Sequence, residues 1–131
     1  MKIELIDVVK RFGNHAALAG LNMNVPAGAV YGLVGSNGAG KTTALRHITG
    51  ILRADSGSVL ADGEPVFENV GVKARMAFIP DEVFYFPQAS VNDMMRFYKS
   101  EYPSFDLDRF EKLGEAFPID RKQPMRRFSR G

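Results

Sequence analysis

Eight consecutive residues, Gly35-Ser36-Asn37-Gly38-Ala39-Gly40-Lys41-Thr42, carry the clearest chemistry in this chain of 131. They fit the pattern of glycine, four residues, Gly-Lys, then serine or threonine. A polyphosphate is held by several backbone N–H groups aimed inward together. Glycines let the chain curl that tightly and let phosphate oxygens come that close. The helix expected to follow points its positive end at the same spot. Lys41 adds a full positive charge, and the Thr42 hydroxyl is a suitable ligand for Mg²⁺. The bland alternative is a glycine-rich strand-to-helix turn that holds nothing.

Other reactive side chains are sparse. The chain has no cysteine, which excludes a disulfide framework and a thiolate metal site. His15 and His47 show no metal-ligand spacing and read as surface or helix residues. There are 17 basic and 15 acidic residues, and five of the basic ones (Arg121, Lys122, Arg126, Arg127, Arg130) fall in residues 121–131, where there is no acid. Residues 1–120 therefore carry 12 basic against 15 acidic side chains, a net charge of −3. An acidic body with a basic tail argues against a nucleic-acid-binding surface. No run of apolar residues reaches the length of a membrane span. Glu4 interrupts the N-terminus where a signal peptide is apolar, so a cytoplasmic chain is expected.

The elements that must position the loop follow from patterning. Residues 2–9 alternate at first, with Ile3 and Leu5 on one face and Lys2 and Glu4 on the other, which predicts a half-buried edge strand. Arg11-Phe12-Gly13-Asn14 reads as a turn, residues 16–25 as a second run of spaced apolar positions, and Pro26-Ala27-Gly28 as another turn. Val30-Tyr31-Gly32-Leu33-Val34 is continuously apolar, as in a strand of a parallel sheet covered on both faces. Beyond the glycines, Ala44, Leu45, Ile48 and Leu52 recur at helical spacing, so the order is buried strand, loop, helix. Ser58-Val59-Leu60 and Pro65-Val66-Phe67 flank an Asp62-Gly63 turn and predict a hairpin. Residues 76–79 are a second apolar run, ended by Pro80. Ser90 followed by Asp93 predicts a capped helix start, with Val91, Met94, Met95 and Tyr98 as its apolar face and Pro103 as its stop. Residues 106–117 predict a second amphipathic helix carrying Leu107, Phe110 and Leu113. The expected organisation is an α/β part over residues 1–87 and a small helical subdomain over 88–131.

With these residues in place, the chain resembles the N-terminal portion of an ABC transporter ATP-binding subunit over essentially its whole length. Residues 35–43 are close to that family's loop, with Ser36 where proline is commoner. Asp55-Ser56-Gly57-Ser58-Val59 and Asp62-Gly63 match the family's hairpin. Val9-Lys10-Arg11-Phe12-Gly13 matches the stretch whose aromatic stacks on adenine. The resemblance implies a P-loop NTPase: a RecA-like core with an N-terminal antiparallel β subdomain and part of an α-helical subdomain, truncated. It implies ATP and Mg²⁺ as cofactors. Phe12 is then the adenine platform. Gly35, Ser36, Asn37, Gly38, Ala39, Gly40, Lys41, Thr42 and Thr43 hold the phosphates, with Thr42 on the metal. Asp81 stands where the family has a glutamine that reaches the metal; a carboxylate also ligates Mg²⁺ but adds charge.

The same resemblance implies two protein partners. Phe84, Tyr85 and Phe86 fall where a membrane-spanning subunit docks, and aromatics with a polar handle suit such an interface. Ser129-Arg130-Gly131 resembles the opening of the family's signature motif, with Phe128 and Arg130 in place of leucine and glycine. That motif acts on the γ-phosphate held by the opposite subunit of a homo- or heterodimer. Bacitracin-type and drug-export subfamilies use a basic residue at the Arg130 place, and Tyr102-Pro103 suits them too. Bland readings stay open beside these: Phe12 as a turn aromatic plugging the core, Asp81 as a solvated acid, and the basic tail as an exposed loop.

The remaining parts of the resemblance are not found in these 131 residues. There is no later strand ending in a magnesium-binding aspartate (Walker B), no water-polarising glutamate and no switch histidine. The expectation is a fragment that binds nucleotide and hydrolyses it negligibly, whereas the complete subunit uses ATP hydrolysis to drive transport, in the export direction. Such a subunit sits in the cytoplasm against the inner face of the membrane. Two other classes remain: a soluble ABC-type ATPase acting on ribosomes or DNA, and a phosphate-loop kinase of a small molecule. The chain shows no tandem copy of the loop, and the hairpin around Asp62-Gly63 argues against the kinase.

Overall fold

Strand-forming residues dominate the first 25 positions and build one hairpin. In the computed structural model, which describes residues 1–80 and 84–128, β1 (Ile3–Phe12) pairs antiparallel with β2 (His15–Val25), and Phe12 faces His15 across the turn. After the glycine loop comes α1 (Lys41–Ile48), then β3 (Ser56–Ala61) and the short β4 (Glu64–Pro65). The sheet order is β2-β1-β3-β4, all antiparallel. The predicted edge strand is therefore a central one. Its outer side is taken by β3, with Leu5 opposite Val59.

Leu5 and Val8 explain how β1 serves the core. Both are buried, at 2% and 0% exposure. In a regular strand, residues three apart point to opposite faces. A register shift between them inserts an extra residue and returns Val8 to the core side. Asp7 sits in the bulge at φ +48°. Its N–H donates to Asn22 Oδ1 (2.9 Å), and Asn22 Nδ2 donates back to Asp7 Oδ1 (2.7 Å). Gly57 of β3 passes directly over this bulge at φ +84°, and a Cβ there would strike the Ile6 and Asp7 carbonyl oxygens.

The sheet packs on α1 through Leu5, Val8, Leu18 and Ala44, with Leu21, Met23, Leu33 and Ile48 around them. A second cluster, Ala61, Val66 and Val72, joins the predicted hairpin to α2 (Val70–Lys73), a helical turn capped by Asn69. The hairpin turns at Asp62 (φ +50°) and Gly63 (φ +82°), the geometry an Asp-Gly pair favours.

Two expected strands do not form. Residues 30–34 and 76–79 make no ladder with any described residue. Val30, Val34 and Ile79 are 103%, 95% and 83% exposed, and only Leu33 of the first run packs on the core. Their continuous apolarity fits strands of a parallel sheet. A parallel strand, however, pairs only with a non-local partner brought by a crossover, and the described residues supply none.

The chain forms two compact units, Met1–Ile79 and Pro80–Gly131. In the second, α3 (Val91–Glu101) begins as predicted. The Ser90 hydroxyl accepts from the Asp93 N–H, and the Asp93 carboxylate accepts from the Ser90 N–H (2.9 Å). This reciprocal capping box spends two orphan amides. The Ser90 hydroxyl also donates to Asp93 Oδ2 (2.7 Å), and this bond, then that from the Ser90 N–H, hold the Asp93 carboxyl below its usual range. α4 (Leu107–Ala116) starts at the Asp106 cap and has no fully buried residue, so its apolar face is only half covered. A short 3₁₀ turn, Met125–Arg127, follows.

Gly57→Ala should destabilise the protein by roughly 1–3 kcal/mol through forced left-handed backbone and the carbonyl collisions. Gly63→Ala, at φ +82° with open space around it, should cost less. Urea midpoints for the pair test this.

Candidate functional site

The glycine loop is shaped by what it rests on. Gly40 is the N-cap of α1 at φ +84°, and a Cβ on it would collide with the Ala17 carbonyl oxygen of β2 and crowd Leu18 at 3.1 Å. Only glycine permits both the left-handed backbone and that approach. Gly38 is also left-handed (φ +83°) but has open space around it, so its role is the curl alone. The Ala39 N–H donates to the Ser36 carbonyl (3.2 Å), which closes the curl, and the Ala44 N–H to the Gly40 carbonyl (2.8 Å) starts the helix. The N–H groups of Gly40, Lys41, Thr42 and Thr43 donate to no described residue. They are the orphan donors of a helix start, aimed where an anion is welcome.

Lys41 is held by the loop it belongs to. Its ammonium donates to the Gly35 and Ser36 carbonyls, both at 2.7 Å. An ammonium has three donors. Two fix its place over the loop, and the third has no described partner. The Thr42 residue is exposed and Thr43 half-buried.

Phe12 lies at the end of β1, half exposed at 50%. It faces His15, and Ala17, on which Gly40 rests, lies two residues further on, about 7 Å along the strand. One hairpin thus carries both the aromatic and the support of the loop. The Lys10 ammonium stands 5.7 Å from the Phe12 ring centroid and donates to Asp55 Oδ1 at 2.8 Å. Asp55 Oδ2 accepts from the Arg11 N–H at 2.7 Å. The Lys10 bond, then the Arg11 bond, hold the Asp55 carboxyl below its ordinary value of 3.8.

Of the two readings offered for His47, the helix one holds: it lies in α1, but buried, at 1% exposure on the inner face, with Nδ1 2.7 Å from the Thr43 carbonyl and Nε2 without a described partner. Phe84, Tyr85 and Phe86 are exposed to 62%, 36% and 46%. Phe86 also packs edge-on against Phe97 of α3, at 5.4 Å between centroids. Asp81 and residues 129–131 lie outside the described residues. Among those described, no group of three or more His, Asp or Glu is arranged to hold a metal. The Lys10–Asp55 support was not singled out from sequence, because its members are 45 positions apart.

Comparison with known proteins decides the family. A model of the ABC transporter family matches residues 18–131. The chain belongs to the ABC transporter family. It is 37% identical over 110 residues, 82% of its length, to the ribose import ATP-binding protein RbsA of Lacticaseibacillus paracasei, covering 22% of that protein. It is 30% identical over 129 residues, 98% of its length, to the ABC transporter ATP-binding protein YtrB of Bacillus subtilis, covering 44% of it. A solved Pyrococcus furiosus chain described as an ABC transporter ATP-binding protein superposes with a TM-score of 0.78 at 26% identity, over 98% of this chain and 64% of that one. The fold is therefore that of a P-loop NTPase, mixed α/β, and this ABC chain spans under half the length of these two curated relatives.

The Asp55 contacts carry a pH signature. A depressed folded value means the stabilisation is complete above the unfolded carboxylate value and is lost as pH falls through the folded one. Asp55→Asn should lower stability near neutrality and flatten the loss below about pH 4, read from urea midpoints across pH.

Proposed function

We propose that this chain binds ATP with Mg²⁺ as the nucleotide-binding part of an ATP-driven membrane transporter. The observation that carries the reading is the loop itself. Its amides are free of described partners, Gly40 presses it onto β2, and Lys41 is fixed by two carbonyls with one donor to spare.

In this reading the orphan amides of residues 40–43 and the Lys41 ammonium bind the phosphates. Phe12, tethered through Lys10 to Asp55, offers its half-exposed ring to adenine. The residues present fit the metal as well: an exposed threonine beside a phosphate cradle is a suitable oxygen ligand, with Asp81 as the second candidate. Bound Mg²⁺ supplies charge against the β- and γ-phosphates. Residues 129–131 serve the nucleotide of a second ATP-binding subunit, and the aromatics at 84–86 face a membrane-spanning partner. The chain then works at the cytoplasmic face of the membrane; no described helix is long and apolar enough to cross one itself. Phosphoryl transfer needs several positioned groups acting together, and these 131 residues alone are proposed to bind nucleotide without turning it over. Export is the proposed direction. It rests on Arg130 and Tyr102-Pro103, against relatives that include import proteins.

The competing soluble ABC-type ATPase and the small-molecule kinase are separated by co-purification. A transporter subunit brings down a hydrophobic membrane protein, a ribosomal one brings RNA, and a kinase brings neither.

Calorimetry of Mg·ATP on the purified chain tests the loop. Lys41→Ala should weaken binding roughly 10- to 100-fold, the worth of a charge-assisted hydrogen bond; unchanged affinity would remove the phosphate role. Phe12→Ala should weaken ATP roughly tenfold, the worth of one base–aromatic stack, and leave inorganic triphosphate unaffected. Equal losses for both ligands would make Phe12 structural.

A further inference from the structure

Among the described arginines of the second unit, Arg96 and Arg121 pair with acids, and Arg121 is the more buried of the two. Arg121 opens the basic segment, and its guanidinium donates to Glu111 Oε2 at 2.6 Å, stands 5.0 Å from the Phe110 ring centroid and reaches the Glu111 carbonyl at 3.5 Å. Its side chain is 25% exposed. Lys122, Arg126 and Arg127 are exposed and pair with no described acid.

Gly114 makes the seat. It lies on the same face of α4 as Phe110, one turn on, and a Cβ there would run into the Arg121 guanidinium. A glycine inside a helix costs stability relative to alanine. Here the missing methyl is the space in which the guanidinium lies.

The other side of Arg121 is fastened too. Its carbonyl accepts from the Asn92 N–H in the first turn of α3 at 3.2 Å. Just beyond it, the Met125 N–H donates to the Ala89 carbonyl at 2.8 Å, and Pro124 bridges to Ser90. Residues 120–128 are thus strung between the start of α3 and the surface of α4, with Arg121 gripping both.

We propose that Arg121 is a positioning residue, seated in the Gly114 gap, that sets the course of residues 120–128 and so presents the segment running into Ser129, Arg130 and Gly131. The functional part rests on the proposed ATP-driven reading, in which those three residues serve a nucleotide held by another subunit.

The test uses Gly114→Ala, which leaves the arginine but takes its seat, and Arg121→Met, which leaves the seat. Arg121→Lys keeps the charge without the planar fork. In this chain, amide exchange at Asn92 and Met125 should rise at least tenfold in Gly114→Ala and Arg121→Met, with Mg·ATP affinity unchanged. In the assembled transporter, kcat should fall at least fivefold in both with KM for ATP within twofold, and Arg121→Lys should fall between them and the parent. A higher melting temperature with unchanged exchange in Gly114→Ala is what removing an idle helix glycine does, and it would overturn the proposal. So would an unaltered kcat in Arg121→Met. Failure of the ATP reading shows separately, as Lys41→Ala leaving turnover intact while the exchange results stand.

Discussion

The structure of the first unit depends on a side chain that is not there. Because residue 40 has no Cβ, the turn into α1 can rest on the Ala17 carbonyl, and α1 then lies where Ala44 meets Leu5, Val8 and Leu18. The core and the loop are set by the same contact. Moving the helix off β2 to fit a methyl group would open the apolar cluster and would turn the free amides away from their common focus. Packing and ligand geometry are one constraint here. The glycine's conformational entropy is the cost of keeping both.

Legibility from sequence followed the range of the interaction. The helix start after the loop, the Ser90–Asp93 cap and the Asp62-Gly63 turn are encoded within a few residues, and each was read correctly from spacing. Fold class was legible because the loop pattern, the helix after it and the hairpin together resemble a known family, although the strand expected before the loop does not form. What escaped was non-local. β1 looks like an edge strand by alternation, since nothing in residues 2–9 announces β3 on its far side. The bulge at Asp7 is invisible without Asn22. Arg121 was legible only as a tail charge, and Gly114 was not singled out. Apolar runs 30–34 and 76–79 were recognised as strand-like, but patterning names no partner for either.

Charge is spent differently in the two units. In the first, Asp55 gathers Lys10 and the Arg11 amide beside the aromatic of the proposed site, so a surface carboxylate stiffens the end of β1. In the second, α4 has no buried residue and is held by polar ties, the Asp106 cap, the Arg121–Glu111 pair and the arginine on Phe110, beside the ring contact of Phe105 with Phe110. Exposed ties of this kind are individually weak. The helical unit is consequently the part whose local opening is easiest, while the buried cluster under α1 holds the loop.

The bare run at residues 30–34 has a consequence in time. A hairpin such as β1–β2 closes within roughly 1–10 μs, whereas a parallel strand waits for a distant segment. Through that wait the run is an open template for another copy of itself. Sequences often guard such stretches with flanking charges. Between Pro26 and Gly40 there is no charged residue at all. Protection falls to backbone instead: Gly32 splits the run, and Gly28 and Gly35 bracket it. The glycines of this region therefore also oppose edge-to-edge pairing of the exposed run.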